Sequence, residues 1–146
     1  MKTLTTTIVA ALLALSASTG MAQEAGHGMA TTESILPDAC ISDAGKAAAA
    51  KMIPMGADHS MDEAHAALMA GMDIMNADMM TGNMAADIDV AFVCGMIPHH
   101  QGAITMAKAE LQYGDNAWAK ELAQKVIDAQ EQEIADMLAW LAEQPK

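Results

Sequence analysis

The stretch that decides the fold is 87–113, DIDVAFVCGMIPHHQGAITMAKAELQY, whose apolar residues recur at helical spacing. This spacing predicts one long helix from near Asp87 to Tyr113. Pro98 interrupts the pattern, because its missing N–H cannot bond the carbonyl of Cys94 and its ring pushes that carbonyl aside. We therefore expect the helix either to begin at Pro98 or to kink just before His99 and His100.

The segments on either side of this stretch predict further helices joined by short loops. A short helix is expected over 43–52, and a long one from a capping box at Ser60 and Glu63 to about Met80. The last helix is expected from about Asn116 to Glu143. Since no stretch alternates as a strand, the predicted fold is all-α: an antiparallel four-helix bundle of three long helices and a shorter N-terminal one.

The N-terminus predicts export. Lys2 is followed by an apolar run over 8–15 and by small residues at 20–22, the pattern of a signal peptide cleaved after Ala22. We therefore expect the mature chain in the periplasm, without a membrane-inserted segment. Residues 23–36 are predicted to form a flexible arm, and 37–146 the helical domain.

The composition disfavours several kinds of partner. The seven basic residues are all lysine, against 19 acidic ones, and the formal net charge is −12. Without arginine or a basic patch, binding of nucleic acid is disfavoured, and so is recognition of phosphate. The 15 methionines supply thioethers, which are soft metal ligands as well as flexible core fillers.

Methionine and histidine align along the helix predicted to end near Met80. Projected at helical pitch, its six aligned residues fall within an arc of roughly 120°, with His59 near the N-terminal end. These six residues are Met61, His65, Met69, Met72, Met75 and Met79. Two interpretations stay open: a set of metal ligands, or simply a buried face built from methionine.

A second candidate site lies in the deciding stretch. Met96 precedes His99 and His100 by three and four positions, so the three side chains project from neighbouring turns. Phe92, Ala103, Met106, Ala107 and Glu110 share this face. One thioether and two imidazoles suit Cu(I), whereas zinc sites usually bring thiolate or carboxylate. The alternative is a histidine pair that is merely hydrogen-bonded inside a core.

The last predicted helix offers two further candidates on its inward face. Gln130 is a polar break in an apolar stripe and could orient a histidine by hydrogen bonding. Met137 could approach the histidines of the middle helix as a further thioether. A core methionine and a surface-reaching glutamine would give the same pattern.

Cys40 and Cys94 are the only cysteines. An oxidising compartment favours their pairing, while the competing role is a thiolate ligand beside Met96. On an ideal helix Cys94 points about 160° away from Met96, which favours the disulfide.

The chain closely resembles domain-of-unknown-function family 305 in the motif M-I-P-H-H-Q-G-A-I. The resemblance includes Asp89 and Phe92 before this motif and the run from Gln130 through Glu133 to Met137 after it. The resemblance covers about 87–143, and the family includes CopM-like periplasmic copper-binding proteins. It implies a ferritin-like four-helix bundle and a role in copper tolerance. By the same resemblance, Met96, His99, His100, Met106 and Met137 map onto the Met and His positions of the motif.

The leading functional prediction is an exported protein, not an enzyme, that sequesters Cu(I) or delivers it to other periplasmic copper proteins. Met96, His99 and His100 would form the primary site, completed by Met106 or Met137. His59, Met61, His65, Met69 and Met72 would offer further ligands. The alternative is a Met-rich structural or partner-binding bundle without a metal. A di-iron enzyme of ferritin type is disfavoured, because the chain has no Glu-x-x-His pair.

Overall fold

The computed structural model describes residues 33–52 and 61–144, and the regular structure in these two ranges is entirely helical. A short 3-10 helix, Asp38–Cys40, comes first. Five α-helices follow it: α1 Asp43–Ala49, α2 Glu63–Met69, α3 Met72–Gly82, α4 Ile88–Tyr113 and α5 Ala117–Ala142. The all-α prediction is confirmed for these ranges, and the arrangement is that of a helical bundle. None of the helices in the described part of the chain is long and apolar enough to span a membrane. The expected signal peptide, most of the predicted arm, Ser60 and His59 lie outside the described residues.

Helix α4 is the central element, because α2, α3 and α5 all pack against it. Its N-terminal cap is Asp87, whose carboxylate accepts from the backbone N–H groups of Asp89 and Val90. Asn116 caps α5 in the same way. Both caps lie where the sequence predicted the two helices to begin.

Helices α4 and α5 form a hairpin across the short turn at 114–116. Near the start of α4, Ile97 packs in one apolar cluster with Leu141 at the end of α5. Further along α4, Ile104 packs in a second cluster with Ala123 and Ile127, which lie nearer the start of α5. This order of contacts shows that the two helices run in opposite directions. The relative directions of the other helices stay predictions.

Pro98 lies inside α4, which continues through it from Ile88 to Tyr113, so the expectation that the helix begins there is wrong. Pro98 has no N–H to donate to the Cys94 carbonyl, so this carbonyl lacks its helical hydrogen bond. The backbone of Cys94 lies against the end of α3. A Cβ atom added at Gly82 would come within 2.6 Å of the Cys94 carbonyl oxygen. The Pro98 side chain is itself fully buried. Close packing between helices thus surrounds the point where the helical hydrogen bonding is interrupted.

The helix predicted to run to Met80 is broken in two. Gly71 adopts a φ of 78°, a left-handed conformation that side chains rarely tolerate, and it separates α2 from α3. The cap of α2 is Asp62 rather than the predicted Ser60, since the Asp62 carboxylate accepts from the His65 N–H at 3.0 Å. Of the aligned methionines, Met61 therefore precedes α2, Met69 ends it, and Met72, Met75 and Met79 belong to α3.

Cys40 and Cys94 form a disulfide, the pairing favoured from the sequence, with a Cα–Cα distance of 5.4 Å. Both cysteines are buried in a cluster with Leu36, Ile97 and Leu141. Leu36, the last residue of the predicted arm, packs in this core. The disulfide thus ties the N-terminal segment to α4 at the level where α5 ends.

Two glycines lie where α3 packs closely against α4: Gly82 at the end of α3 and Gly102 on α4. We expect them to differ in their tolerance of alanine. At Gly82 the new methyl would meet the rigid Cys94 backbone, so Gly82→Ala should destabilise the protein by about 1–3 kcal/mol. At Gly102 it would meet only the flexible side chain of Met75, and Gly102→Ala should stay within about 1 kcal/mol of wild type. Urea denaturation with the disulfide intact measures both. Equal destabilisation by the two substitutions would contradict the close backbone approach.

We also expect Tyr113, the only tyrosine of the chain, to titrate with a raised pKa. Its hydroxyl donates to Glu63 Oε1 at 2.9 Å, joining α2 to the end of α4. This hydrogen bond, together with burial and the Glu63 charge, raises the pKa of Tyr113 above 10.0. The bond is therefore complete below pH 10.0 and is lost as the pH rises through the raised pKa.

Ultraviolet absorbance of the tyrosinate gives the midpoint directly. Glu63→Gln removes the neighbouring charge and should lower the midpoint, whereas Glu131→Gln, on an exposed part of α5, should leave it unchanged. Identical midpoints in wild type and Glu63→Gln would disprove the contact in solution.

Candidate metal centre

His99 and His100 project from consecutive positions of α4 into different surroundings. Their ring centroids lie 5.9 Å apart and their planes meet at 61°. His99 is exposed, whereas His100 is only 7% exposed. A metal–nitrogen bond measures about 2.0–2.1 Å, so two rings at this separation are close enough to share one ion.

The two ring nitrogens of His100 have different roles. Nε2 lies 2.5 Å from Glu133 Oε2. An ionised carboxylate only accepts, so Nε2 carries the proton and donates, and the neutral ring then has its lone pair on Nδ1. Nδ1 is buried and has no hydrogen-bond partner among the described residues. The hydrogen bond to α5 thus fixes the tautomer in which an unshared nitrogen lone pair is presented inside the protein.

Met96 lies one helical turn before His100 and is half-buried. Side chains on a helix tilt toward its N-terminus, so residues four positions apart can reach each other. The predicted grouping of Met96, His99 and His100 is thus compatible with the continuous helix, even though Pro98 falls within it.

The sequence analysis assigned no role to Glu133, the residue that holds His100. Gln130 was predicted to orient a histidine, but its side chain instead donates to Glu133 Oε2 at 3.4 Å. Gln130 therefore acts one step removed, through the carboxylate. The signal was present in the quoted motif, where Glu133 follows Gln130 by three positions on one helix face.

A second group of thioethers lines a small cavity of about 30 Å³ between α3 and α4. Met72 and Met75 reach it from α3, and Met106 from α4. The Met75 sulfur lies so close to Gly102 that a Cβ atom there would collide with it. Of the methionines predicted as ligands, Met72 and Met106 are thus brought together, with Met75 between the two helices.

Among the described residues, the other predicted ligands on and near α2 do not join either group, and His59 lies outside the described ranges. Met61 and Met69 are each 41% exposed, and the break at Gly71 separates them from the methionines of α3. His65 is exposed and pairs with Asp62 through Nδ1 at 2.8 Å. The pKa of Asp62 is lowered, first by the backbone N–H of His65 and then by its ring.

Met137 packs against the apolar cluster around the disulfide. Within 33–52 and 61–144, no three His, Cys, Asp or Glu side chains are grouped so that they could hold a metal ion. The donors that the structure brings close together are the two imidazoles of α4 and, separately, the methionines that line the cavity.

We expect Glu133 to control the ring of His100. Glu133→Ala leaves a buried N–H without its partner and should destabilise the protein by about 1–2 kcal/mol. Nitrogen-15 NMR of the imidazoles should show His100 protonated at Nε2 in the wild type and lose this preference in the variant. Glu131→Ala, which removes an exposed carboxylate two positions away, is the matched control. A His100 ring protonated at Nδ1 in the wild type would refute the assignment.

Comparison with known proteins gives a family but no characterised relative. The family model described as "Domain of unknown function (DUF305)" matches residues 11–141, which is most of the chain and includes both groups of donors. No curated protein matches the chain. The protein therefore belongs to the DUF305 family.

Proposed function

We propose that this protein is exported to the periplasm and binds Cu(I) there, with Met96, His99 and His100 as the primary donors. The observation that carries the proposal is the buried Nδ1 of His100, which has no hydrogen-bond partner among the described residues. A buried polar atom without a partner costs free energy unless a ligand satisfies it. The exposed ring of His99 and the half-buried Met96 lie beside it on the same helix.

The donor chemistry favours a soft monovalent ion. A thioether cannot be protonated at physiological pH and is a preferred ligand of Cu(I), while neutral imidazole suits copper in either oxidation state. Glu133 and Gln130 supply the outer hydrogen bonds that fix the tautomer and orientation of a histidine ligand. The site would thus combine one soft donor with two imidazoles, one of them pre-oriented.

The cavity formed by Met72, Met75 and Met106 supports a second role for thioethers. Three methionines line this one small space between α3 and α4, and their thioethers would hold Cu(I) without any protonation step. Since Met106 also lies on the α4 face that carries His99, the two groups adjoin. We propose that the cavity takes a second ion or accepts the first one in transfer.

Sequestration or delivery of copper is the activity that this arrangement fits, as in the CopM-like proteins that the sequence resembles. The Cys40–Cys94 disulfide supports an oxidising compartment, where thioethers and imidazoles are the ligands that remain available once thiols are paired. The alternative function, a Met-rich bundle that binds a protein partner without metal, draws support from the exposed Met61, Met69 and Met84.

Competition with a chromogenic Cu(I) chelator tests the proposal. We expect the wild type to retain copper, and His100→Ala or Met96→Ala to weaken retention at least about tenfold. Glu133→Gln weakens the hydrogen bond that orients His100 but removes no copper ligand. It should therefore lower the copper affinity about 10- to 100-fold. His65→Ala, an exposed histidine on α2, is the matched control and should bind as the wild type does.

Two results would contradict the proposal. Absence of any copper retention by the wild type would favour the metal-free partner-binding function. Retention that is unchanged when Met96, His99 and His100 are all replaced by alanine would move the site to the thioether cavity.

A further inference from the structure

One face of α4 carries a regular, mostly apolar pattern that the helices of the described ranges leave partly open, with Leu68 of α2 lying beside its C-terminal half. Its positions alternate in steps of four and three, the spacing of a coiled-coil contact surface. We call these residues the α4 seam: Phe92, Met96, His99, Ala103, Met106 and Glu110.

The seam lies between the two faces of α4 that are already packed. Toward α3, the cavity is lined by Pro98, Gln101 and Gly102. Toward α5, Ile104 and Ala107 lie in the buried cluster. On the seam itself, Phe92 is 65% and Met106 is 48% exposed. An aromatic ring left this open at helical register with other apolar residues indicates a docking surface.

The charge distribution favours a second copy of this chain as the occupant. The chain carries a formal net charge of −12, which opposes self-association over most of its surface. From residue 90 to 107, however, α4 contains no charged residue at all. Glu110 at its end is the one acidic member of the seam, so two such acidic chains can meet over the stretch from Phe92 to Met106 without placing carboxylates against each other.

The seam is also complementary to itself. Phe92 lies seven residues before His99, and Met106 lies seven residues after it. A two-fold axis through His99 would therefore place Phe92 of each copy against Met106 of the other, a favourable contact between an aromatic ring and a thioether. Beside Met106 there is an apolar groove of about 350 Å³, lined also by Leu68, Leu122 and Val126, that can receive the ring.

The exposed apolar area is a substantial part of what a stable contact needs. Four large side chains on and beside the seam are between 45% and 78% exposed: Ile88, Phe92, Met106 and Leu122. At roughly 200 Å² for a large side chain, they expose on the order of 450 Å² together. A standard interface buries about 800 Å² on each partner, so this face supplies more than half of what a dimer needs.

We propose that two copies of the chain pack through their α4 seams in opposite directions, with the two His99 side chains meeting at the two-fold axis. The α4–α5 hairpins of the two copies would then form a four-helix contact. If the proposed function holds, the partner copy also completes the copper site, because the exposed His99 of each copy would adjoin the donors of the other. The dimer itself requires no metal.

Sedimentation equilibrium of the protein purified after expression of the full chain, with a copper chelator present, tests the contact. We expect a reversible dimer, and we expect Phe92→Ala to weaken association at least about 30-fold. Leu138→Ala is the matched control, because Leu138 is 41% exposed on α5 but lies off the seam. Circular dichroism checks that both variants stay folded.

Cross-linking locates the axis independently. His99→Cys should give a disulfide-linked dimer on mild oxidation, since the native cysteines are already paired, whereas Gln132→Cys on the exposed face of α5 should not. A wild type that stays monomeric at every concentration would overturn the proposal, as would a dimer that Phe92→Ala and Leu138→Ala weaken equally. Because copper is chelated throughout, these outcomes are distinct from a failure to retain Cu(I).

Discussion

The rest of the structure depends on the burial of a single turn of α4, from Cys94 to Pro98. Cys94, Ile97 and Pro98 are almost fully inaccessible, and three separate segments pack on them. The N-terminal segment is attached by the disulfide, α3 approaches through the backbone of Gly82, and α5 contributes Leu141. A turn held from several sides needs no complete set of helical hydrogen bonds, which explains why α4 continues through a proline.

This buried turn also sets the directions of the two histidines that follow it. Successive helical positions are about 100° apart, so once Ile97 faces the core, His100 faces α5 and His99 faces solvent. His100 can then be held by Glu133, which is itself 57% exposed and partly hydrated. The pair therefore has one ring that is fixed and one that is free. Such a division suits an ion that must be both held and exchanged.

The same geometry gives the methionines of the chain two different environments. Met72 and Met75 of α3 line a cavity against α4, while Met61 and Met69 lie at the surface on the other side of the turn at Gly71. The aligned methionines therefore do not form one continuous track. The uncharged face of α4 adds a further level of organisation, since it offers a contact at which a second chain would adjoin the donors.

The sequence by itself determined the all-helical fold and the approximate limits of α4 and α5, because helical periodicity is a local property. It also favoured the pairing of Cys40 with Cys94, since only one pairing was possible. It did not predict the break at Gly71, because the sequence does not distinguish a glycine with a left-handed backbone from a glycine inside a helix. Nor did it assign Glu133 to His100, since that contact joins two helices across 33 positions. Which nitrogen of His100 is left without a partner was decided only by tertiary packing, because hydrogen bonding across helices depends on their relative placement.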